Sequence, residues 1–212
     1  MVVRGLAVGP VQENCYVFAA DDSPTCVVVD PGDEVERILE VVSGLDRAVE
    51  AILLTHCHFD HIGAVAPLAR QSGAPVWCPE IEQPLLADIM SYVPWPGFGP
   101  FESYEADHLL SGGEKLTLAG VEIEVLFTPG HSPGHLTFAI ESAAALFSGD
   151  VLFRQSIGRT DLPGADHETL LASIAALLGR YPDESTVFPG HMGITTLGAE
   201  RVDNPFLASL VG

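Results

Sequence analysis

Four histidine and aspartate side chains that can bind metal ions fall within six consecutive residues, in the run HCHFDH from His56 to His61. In an extended segment, alternate side chains point to the same side, so the imidazoles of His56 and His58 can reach one ion. After a bend, Asp60 and His61 can reach a second ion beside the first. Paired ions polarise carbonyl groups and activate water. The motif therefore predicts a site for two metal ions.

Three further candidate ligands follow apolar runs elsewhere in the chain. His131 lies in TPGHSPGH, Asp150 lies in FSGD and His191 lies in FPGH, each at the end of a run typical of a strand. A single residue of this kind after a glycine is usually part of a turn. Because all three share the position of the HCHFDH motif at a strand end, we expect them to converge on one site.

The elements that must position these residues can be predicted from the spacing of apolar residues. Short apolar runs predict strands over 26–29, 51–54, 121–127, 144–147 and 186–188. Helical spacing predicts helices over 34–45, 62–72 and 168–178. We expect Asp33 and Asp166 to cap the first and third helices, and Gly73 and Gly179 to end the second and third. The pattern predicts a mixed α/β fold in which helices cover the sheets.

The segment 79–108 fits neither the strand pattern nor the helix pattern. It contains four prolines after Pro79 and the aromatic residues Tyr92, Trp95, Phe98, Phe101 and Tyr104. A long irregular insertion of this kind is often a lid or a wall of a functional site. We expect the insertion to supply part of the pocket wall.

The remaining histidines and the cysteines have simpler interpretations. His108 and His167 are expected to be solvated, whereas His135 is left open between a turn residue and a partner that orients a metal ligand. The four cysteines lack CxxC spacing, which favours free thiols in a reducing compartment. Cys57 lies within the motif, but its side chain should point away from the neighbouring ligands and pack in the interior.

The composition is that of a folded and strongly acidic chain. Its 212 residues are 47% hydrophobic and 18% charged, which predicts one globular domain over residues 1–212. Nine basic and 29 acidic residues give a formal net charge of -20, and such a surface repels phosphate backbones and anionic lipid headgroups. We therefore expect no nucleic acid partner and no membrane partner. Residues 1–10 lack the pattern of a signal peptide, so a cytoplasmic location is expected.

The metal motif and its later partners resemble the metallo-β-lactamase fold superfamily, whose hallmark is HxHxDH followed by separate His, Asp and His ligands. The resemblance spans nearly the whole chain, from Asn14-Cys15-Tyr16 to Asn204-Pro205-Phe206. The runs SGDVLFRQSIGRTDLPG and FPGHMGITTLGAERVDNPF are similar to the short hydroxyacylglutathione hydrolase-like, or glyoxalase II-like, proteins. The resemblance implies a four-layer αββα sandwich with the metal ions at one edge.

Carried over by position, the resemblance implies a role for each ligand. The first ion would be held by His56, His58 and His131, the second by Asp60, His61 and His191, with Asp150 bridging the pair. A water between the ions would become the hydroxide nucleophile, and Asp60 would orient it and assist proton transfer to the leaving group. Imidazole and carboxylate ligands suit two divalent ions of zinc, iron or manganese, with zinc the expected metal.

Arg159 is the candidate contact to the substrate. Long-form glyoxalase II has a lysine that contacts a glutathione carboxylate at the matching position, so the resemblance implies that the Arg159 guanidinium grips a substrate carboxylate. Alternatively, Arg159 pairs with Asp161 and fixes the loop over residues 158–164. The long form also has a C-terminal helical region with basic residues that grip glutathione. No counterpart is expected here after Phe206, which leaves the use of glutathione open.

The resemblance implies a hydrolase that cleaves a small-molecule thioester such as S-lactoylglutathione. A persulfide dioxygenase is an alternative, because that branch also carries HxHxDH and a GRTD run but binds one iron; the matching residues are His56, His131 and Asp150. Hydrolysis of a lactone or a β-lactam, or a metal-binding module without turnover, are further alternatives. RNA processing is disfavoured by the acidic charge. The oligomeric state is left open.

Overall fold

The computed structural model describes residues 1–93, 95–208 and 210, so the predicted domain over 1–212 extends beyond the described part and stays a prediction. In that part, two six-stranded β-sheets form the centre of the fold. The strands of the first sheet are β1 (Val2–Val8), β2 (Glu13–Ala19), β3 (Thr25–Val29), β4 (Ala48–Leu53), β5 (Val76–Pro79) and β6 (His108–Leu110). They lie side by side in chain order, with β1 to β3 antiparallel and β3 to β6 parallel.

The second sheet begins with an antiparallel run of four strands. These are β7 (Lys115–Leu118), β8 (Val121–Phe127), β9 (Leu136–Ile140) and β10 (Ala145–Gly149). A short ribbon follows, made of β11 (Leu152–Phe153) and β12 (Ser156–Ile157). The sheet is completed by β13 (Thr186–Pro189), which runs parallel to β10, and by β14 (Thr195–Thr196), which runs antiparallel to β13.

Helices cover the outer faces of both sheets. The helices are α1 (Val35–Gly44), α2 (Phe59–Ile62), α3 (Val65–Ser72), α4 (Gln83–Ala87), α5 (Ile89–Tyr92), α6 (His167–Arg180) and α7 (Leu197–Asp203). Helices α1 and α3 pack on the first sheet. Leu170 and Ile174 of α6 pack on Leu146 and Val187 of the second sheet. The layers are helix, sheet, sheet and helix, as the αββα prediction requires.

Aromatic side chains join the two sheets. The rings of Phe18 from β2 and Phe147 from β10 stack with centroids 4.8 Å apart, and Tyr16 meets Phe147 edge-on at 5.6 Å. All three residues are buried, and burying a side chain such as Phe contributes roughly 1.5 to 3 kcal/mol. This contact holds the sheets face to face, so that strand ends from both sheets meet at one edge.

The five predicted strands are confirmed with small shifts at their ends. They correspond to β3, β4, β8, β10 and β13, and β8 has the predicted bounds. The prediction for helix α6 is also confirmed: the side chain of Asp166 accepts a 2.8 Å hydrogen bond from the backbone N–H of Thr169. Gly179 does not end this helix, which continues to Arg180. Gly73 ends α3 with a φ of 70°, as predicted.

Two of the helix predictions are wrong in detail. Asp33 does not cap α1, because Glu34 occupies the N-cap position in a left-handed conformation with a φ of 52°. The Asp33 carboxylate instead accepts a hydrogen bond from the N–H of Glu34. The predicted helix over 62–72 is two helices, α2 and α3. The pattern of helical hydrogen bonds is interrupted between α2 and α3. The N–H of Ala64 donates to the carbonyl of Pro31, at 2.9 Å, instead of to a carbonyl one helical turn earlier.

The insertion 79–108 contains a 3₁₀ turn (Glu80–Glu82), the short helices α4 and α5, and an irregular return to β6. His108 and His167 are exposed, as predicted, although the His108 ring also stacks on Trp77 with centroids 3.9 Å apart. In the described residues, no helix combines the length and the apolar character needed to cross a bilayer.

Candidate metal centre

All seven predicted ligands lie together at the edge where strands of the two sheets end. The HCHFDH motif follows β4, His131 lies between β8 and β9, Asp150 follows β10, and His191 follows β13. Among the described residues, there are three sets of possible ligand atoms in which all members of a set lie within 4.8 Å of one another, and two of these sets correspond to the predicted groups. These are the set His56, His58 and His131 and the set Asp60, His61 and His191.

In the first set, three ring nitrogens converge on one point. Nε2 of His56 lies 3.0 Å from Nδ1 of His58, which lies 2.9 Å from Nε2 of His131. The outer nitrogens of two rings are engaged elsewhere. Nδ1 of His56 faces the hydroxyl of Thr55 at 3.1 Å, and Nδ1 of His131 faces the carbonyl of Arg159 at 2.9 Å.

This network assigns the protons of both rings. The hydroxyl of Thr55 donates to Asp30 over 2.6 Å, so it accepts from Nδ1–H of His56. The carbonyl of Arg159 can only accept, so Nδ1 of His131 also carries a proton. The inner Nε2 atoms of the two rings then both face Nδ1 of His58 and can offer lone pairs there. Such a cluster of lone pairs fits a cation placed between them.

In the second set, His191 faces a carboxylate and His61 is held from behind. Nε2 of His191 lies 3.3 Å from Oδ2 of Asp60. Nδ1 of His61 lies 3.2 Å from Oδ2 of Asp30, which leaves its Nε2 directed at the centre of the site. One imidazole set and one mixed imidazole and carboxylate set therefore lie side by side.

Asp150 lies between the two sets. Its Oδ1 is 3.5 Å from Nε2 of His61, and its Oδ2 is 3.4 Å from Nε2 of His131 and 3.7 Å from Nε2 of His191. Oδ1 of Asp150 and Nε2 of His61 are buried without a hydrogen-bond partner among the described residues. Buried polar atoms are almost always paired, so these two unpaired atoms fit ligands of a metal ion. The donor set as a whole fits two divalent ions with Asp150 shared between them.

Burial and neighbouring charges shift the pKa values of the histidines in opposite directions. Burial, together with the adjacent His131 ring, lowers the pKa of His58 to about 4. At His61, burial alone would lower the pKa, but the carboxylates of Asp150 and Asp30 outweigh it and raise the pKa well above its ordinary value. Burial would raise the pKa of Asp60, yet the hydrogen bond from His191 keeps that pKa well below its usual range. Asp60 is therefore ionised at neutral pH.

The third set of nearby ligand atoms contains Asp30, which was not among the predicted site residues. Asp30 lies within reach of His56 and His61, but both of its oxygens are already engaged. They accept hydrogen bonds from the N–H and the hydroxyl of Thr55, at 2.7 and 2.6 Å. We therefore interpret Asp30 as a residue that orients two ligand histidines. Its position in Asp30-Pro31-Gly32, at the end of β3, was the signal that could have identified it.

Glu13 is a second residue that sequence reasoning missed. Its side chain is fully buried, neither carboxylate oxygen has a hydrogen-bond partner in the described structure, and Oε1 lies 3.8 Å from Nδ1 of His61. Burial raises the pKa of Glu13 well above its ordinary value. Glu13 opens β2 between the polar residues Gln12 and Asn14, and no spacing pattern in the sequence connects it to the metal motif.

The structure resolves the open question about His135. The ring is buried, its Nε2 accepts a 3.0 Å hydrogen bond from the backbone N–H of Asp150, and its Nδ1 lies 3.3 Å from the hydroxyl of Thr128. His135 therefore orients a predicted ligand and is more than a turn residue.

The loop that carries His191 is held by the first sheet. The side-chain amide of Asn14 donates to the carbonyls of Pro189 and Met192, at 3.0 and 2.9 Å. The hydroxyl of Tyr16 donates to the same Pro189 carbonyl at 2.9 Å. The Asn14-Cys15-Tyr16 run of the sequence thus fixes a candidate ligand that lies far along the chain.

Arg159 and Cys57 have defined partners. The guanidinium of Arg159 forms a two-pronged contact with the carboxylate of Asp161, at 2.7 and 2.8 Å, and its side chain is half exposed. This is the loop-fixing geometry, and substrate binding by Arg159 stays a prediction. The thiol of Cys57 is buried 3.4 Å from the thiol of Cys78. It points away from the neighbouring histidines, as predicted.

A cavity of about 600 Å³ opens above the ligands. Its floor includes His58, Asp60, His131, Asp150 and His191. Part of its wall comes from residues of the insertion, so the expectation that the insertion lines the site is confirmed; these residues are Ile81, Glu82, Leu85, Tyr92 and Trp95. Cavities of this size suit small organic molecules.

Comparison with known proteins identifies the family. A model described as the metallo-beta-lactamase superfamily matches residues 8–191. The probable metallo-hydrolase YqgX of Bacillus subtilis is 40% identical over 96% of this chain and 96% of its own length. The hydroxyacylglutathione hydrolase GloC of Haemophilus influenzae is 36% identical over 99% of this chain and 99% of its own length.

Solved structures give the same result. BLEG-1 B3 metallo-beta-lactamase matches with a TM-score of 0.91 and 41% identity, over 98% of this chain and 100% of the other. TTHA1623 in a di-iron-bound form matches with a TM-score of 0.84 and 42% identity, over 96% of this chain and 100% of the other. These matches support a metal-dependent hydrolase as the broad class of activity. The chain belongs to the metallo-beta-lactamase superfamily.

Proposed function

We propose that this protein is a hydrolase that uses two divalent metal ions to cleave a thioester with water. The observation that carries the proposal is the position of Asp150 between two sets of ligand atoms at the floor of a cavity. The first ion would be held by His56, His58 and His131, the second by Asp60, His61 and His191, and both would share Asp150. Bound ions would supply polarisation of the substrate carbonyl and a lowered pKa for a water held between them.

Asp60 is the proposed catalytic carboxylate. Its low pKa keeps it ionised, and one of its oxygens faces His191 at 3.3 Å. The side chain borders the cavity, where its carboxylate can accept a hydrogen bond from an attacking water, orient that water and assist proton transfer to the leaving thiolate. Asp30, Thr55 and His135 keep the surrounding ligands in place.

The relatives support the thioester as the bond that is cleaved. GloC, whose name describes a hydroxyacylglutathione hydrolase, matches almost the whole chain. S-Lactoylglutathione is therefore the first assay substrate. The ligand chemistry suits zinc, iron or manganese, and we propose zinc as the native metal, with iron a specific competitor because TTHA1623 binds two irons.

The test combines metal analysis with two assays on protein purified without added metal. We expect two ions per chain after metal loading and release of free thiol from S-lactoylglutathione. His131→Ala should lose both the first ion and turnover. A stoichiometry that stays at one iron per chain, with oxygen consumption on glutathione persulfide, would replace the proposal with the persulfide dioxygenase alternative.

Hydrolysis of β-lactams is the second candidate function. It is favoured by the full-length match to a structure described as a B3 metallo-beta-lactamase. The same metal-loaded preparation can be assayed on a chromogenic cephalosporin. Turnover of that compound with a higher kcat/KM than any thioester would make the β-lactam reaction the main activity.

A further inference from the structure

The walls of the cavity above the candidate ligands are mostly apolar. The insertion supplies one wall, whose apolar side chains are Ile81, Leu85, Tyr92 and Trp95 and whose single acidic residue is Glu82. The facing wall follows the second sheet and includes Phe153, Leu162 and Met192. Apolar walls around a few polar groups are the usual design of a site for an organic ligand with a substantial apolar part.

Several of these apolar side chains remain open to water. The exposed fraction is 55% for Ile81, 53% for Tyr92, 47% for Trp95 and 58% for Met192. Large apolar side chains that cluster at the surface mark a place where another molecule is bound. These side chains also line the cavity above the candidate ligands. A molecule bound against them therefore reaches the candidate metal centre.

The charged groups in the cavity do not provide a site for a carboxylate. Among the described residues that line it, Arg159 carries the only guanidinium or ammonium group, and this group is already paired with the Asp161 carboxylate through two of its five N–H donors. Glu82 is buried, and its oxygens accept hydrogen bonds from the backbone N–H groups of Cys57 and Gly134. The net charge of -20 further opposes the approach of anionic substrates.

We infer that the preferred substrates are thioesters without carboxylate groups whose acyl part is a large apolar chain or ring. This inference rests on the proposed function and narrows its substrate class. The apolar acyl group packs between the wall that contains Ile81 and Trp95 and the facing wall that contains Phe153. The thioester carbonyl then lies over Asp150 and the other candidate ligands on the cavity floor. A glutathione leaving group gains little here, since the one cation among the described lining residues, the Arg159 guanidinium, is already paired with Asp161.

The first test measures hydrolysis of a series of acyl groups on one uncharged thiol, N-acetylcysteamine. For the acetyl, butanoyl, hexanoyl and octanoyl thioesters, kcat/KM should rise by up to about fourfold for each methylene that becomes buried. The same acyl groups on glutathione should give no higher kcat/KM. A flat or falling series, or a strong preference for the glutathione thioesters, would overturn the inference.

The second test uses a matched pair of variants. Ile81 and Ile194 are exposed to similar extents, 55% and 52%, but Ile194 lies in a separate depression beside Arg154 and Glu200. Ile81→Ala should lower kcat/KM for the octanoyl thioester several-fold and leave the acetyl thioester unchanged. Ile194→Ala should change neither. Equal effects of both variants on both substrates would contradict the assigned wall.

A binding measurement separates this inference from the proposed reaction. Calorimetry of the metal-loaded protein should show that octanamide binds more tightly than butanamide, and that Trp95→Ala removes the difference. Chain-length-dependent binding without thioester turnover would leave the apolar site standing and remove the thioesterase. Thioester turnover without chain-length dependence in rate or binding would remove the apolar site and leave the thioesterase. If neither thioester turnover nor chain-length-dependent binding is found, both the apolar site and the thioesterase activity are wrong.

Discussion

The backbone N–H of Asp150 donates a hydrogen bond to Nε2 of His135 over 3.0 Å, so a histidine outside both ligand sets fixes the residue shared by them. The acceptor role of Nε2 assigns the proton to Nδ1, which faces the hydroxyl of Thr128 at 3.3 Å. The His135 ring also stacks on His56 with centroids 4.8 Å apart. One buried side chain therefore contacts both a candidate ligand of the first set and the residue shared by the two sets.

We expect His135→Phe to weaken metal binding by about 10- to 100-fold, as is typical when a residue that orients a ligand is removed. Phenylalanine fills the space but leaves the N–H of Asp150 without an acceptor, which also destabilises the fold by about 1 to 3 kcal/mol. Competition with a chromophoric chelator gives the affinity, and His167→Phe at an exposed position is the control. Unchanged affinity in His135→Phe would show that Asp150 needs no such support.

The convergence of the seven candidate ligands could be predicted from the sequence because each follows an apolar run of strand length. His131 and Asp150 are separated in the chain, yet β8 and β10 belong to one sheet and bring both to the same edge. The residues that support the ligands carry no such signal. The role of His135 depends on an N–H fifteen residues away, which sequence spacing does not reveal.

Helix capping shows how local conformation limits sequence prediction. Asp33 and Asp166 have the same side chain just before a predicted helix. Asp166 is extended, with a φ of -147°, and its carboxylate reaches the N–H of Thr169. Asp33 is followed by Glu34 in a left-handed conformation, which turns the helix start away from the Asp33 carboxylate. The residues of the pocket wall could not be predicted in detail either. Ile81 and Met192 are far apart in the chain, and only the tertiary fold brings both to the lining of one cavity.

In the metal-free protein, the His58 ring should titrate at about pH 4. The unfolded chain takes up this proton near pH 6.5. Below pH 6.5 the unfolded state therefore binds more protons than the folded state. The contribution of the neutral His58 ring to the free energy of unfolding is complete above pH 6.5 and is lost as the pH falls through 4. Ring chemical shifts followed by NMR, with the urea-unfolded chain as the reference, test this. A folded-state titration near 6.5 would mean that the ring is more solvated than the structure indicates.

Gly190→Ala should empty the metal centre. A Cβ atom at this position would lie 2.3 Å from Oδ1 of Asp150 and 2.7 Å from Cε1 of His61, so both ligands must move. Gly179→Ala is the control, because a Cβ atom there would have no described atom within 4 Å. An alanine at this position in helix α6 should raise the free energy of unfolding by about 0.5 to 1 kcal/mol. Elemental analysis after dialysis should find less metal in Gly190→Ala alone. Two tightly bound ions in that variant would refute the close packing.

Cys57→Ala should retain both metal ions and most of the turnover. The thiol is buried against Cys78, and burial raises its pKa well above the ordinary value, which suppresses the reactive thiolate. The variant should lose about 1 kcal/mol of stability through the missing sulfur atom. Cys78→Ala removes the other thiol of the pair and should behave alike. If Cys57→Ala loses turnover with metal still bound, the thiol takes part in the reaction.

Arg159 links the rim of the cavity to the ligand sphere in two ways. Its backbone carbonyl accepts from Nδ1 of His131, and its guanidinium pairs with Asp161, which fixes the loop that contains that carbonyl. These contacts involve only groups of the protein, so their effect on turnover should not depend on the charge of the substrate. The pair raises the pKa of the guanidinium and lowers the pKa of the Asp161 carboxyl to about 2, so both groups are charged at neutral pH.

Arg159→Met should therefore impair a carboxylate-bearing thioester and a neutral thioester of similar size to the same extent. Asp161→Asn should reproduce the effect, because it breaks the same pair while leaving the arginine charge in place. Steady-state kinetics on both substrates, with metal content measured in parallel, distinguish this role from substrate binding. If Arg159→Met raises KM only for the charged substrate and Asp161→Asn does not, the guanidinium binds the substrate carboxylate, and the loop-fixing role is wrong.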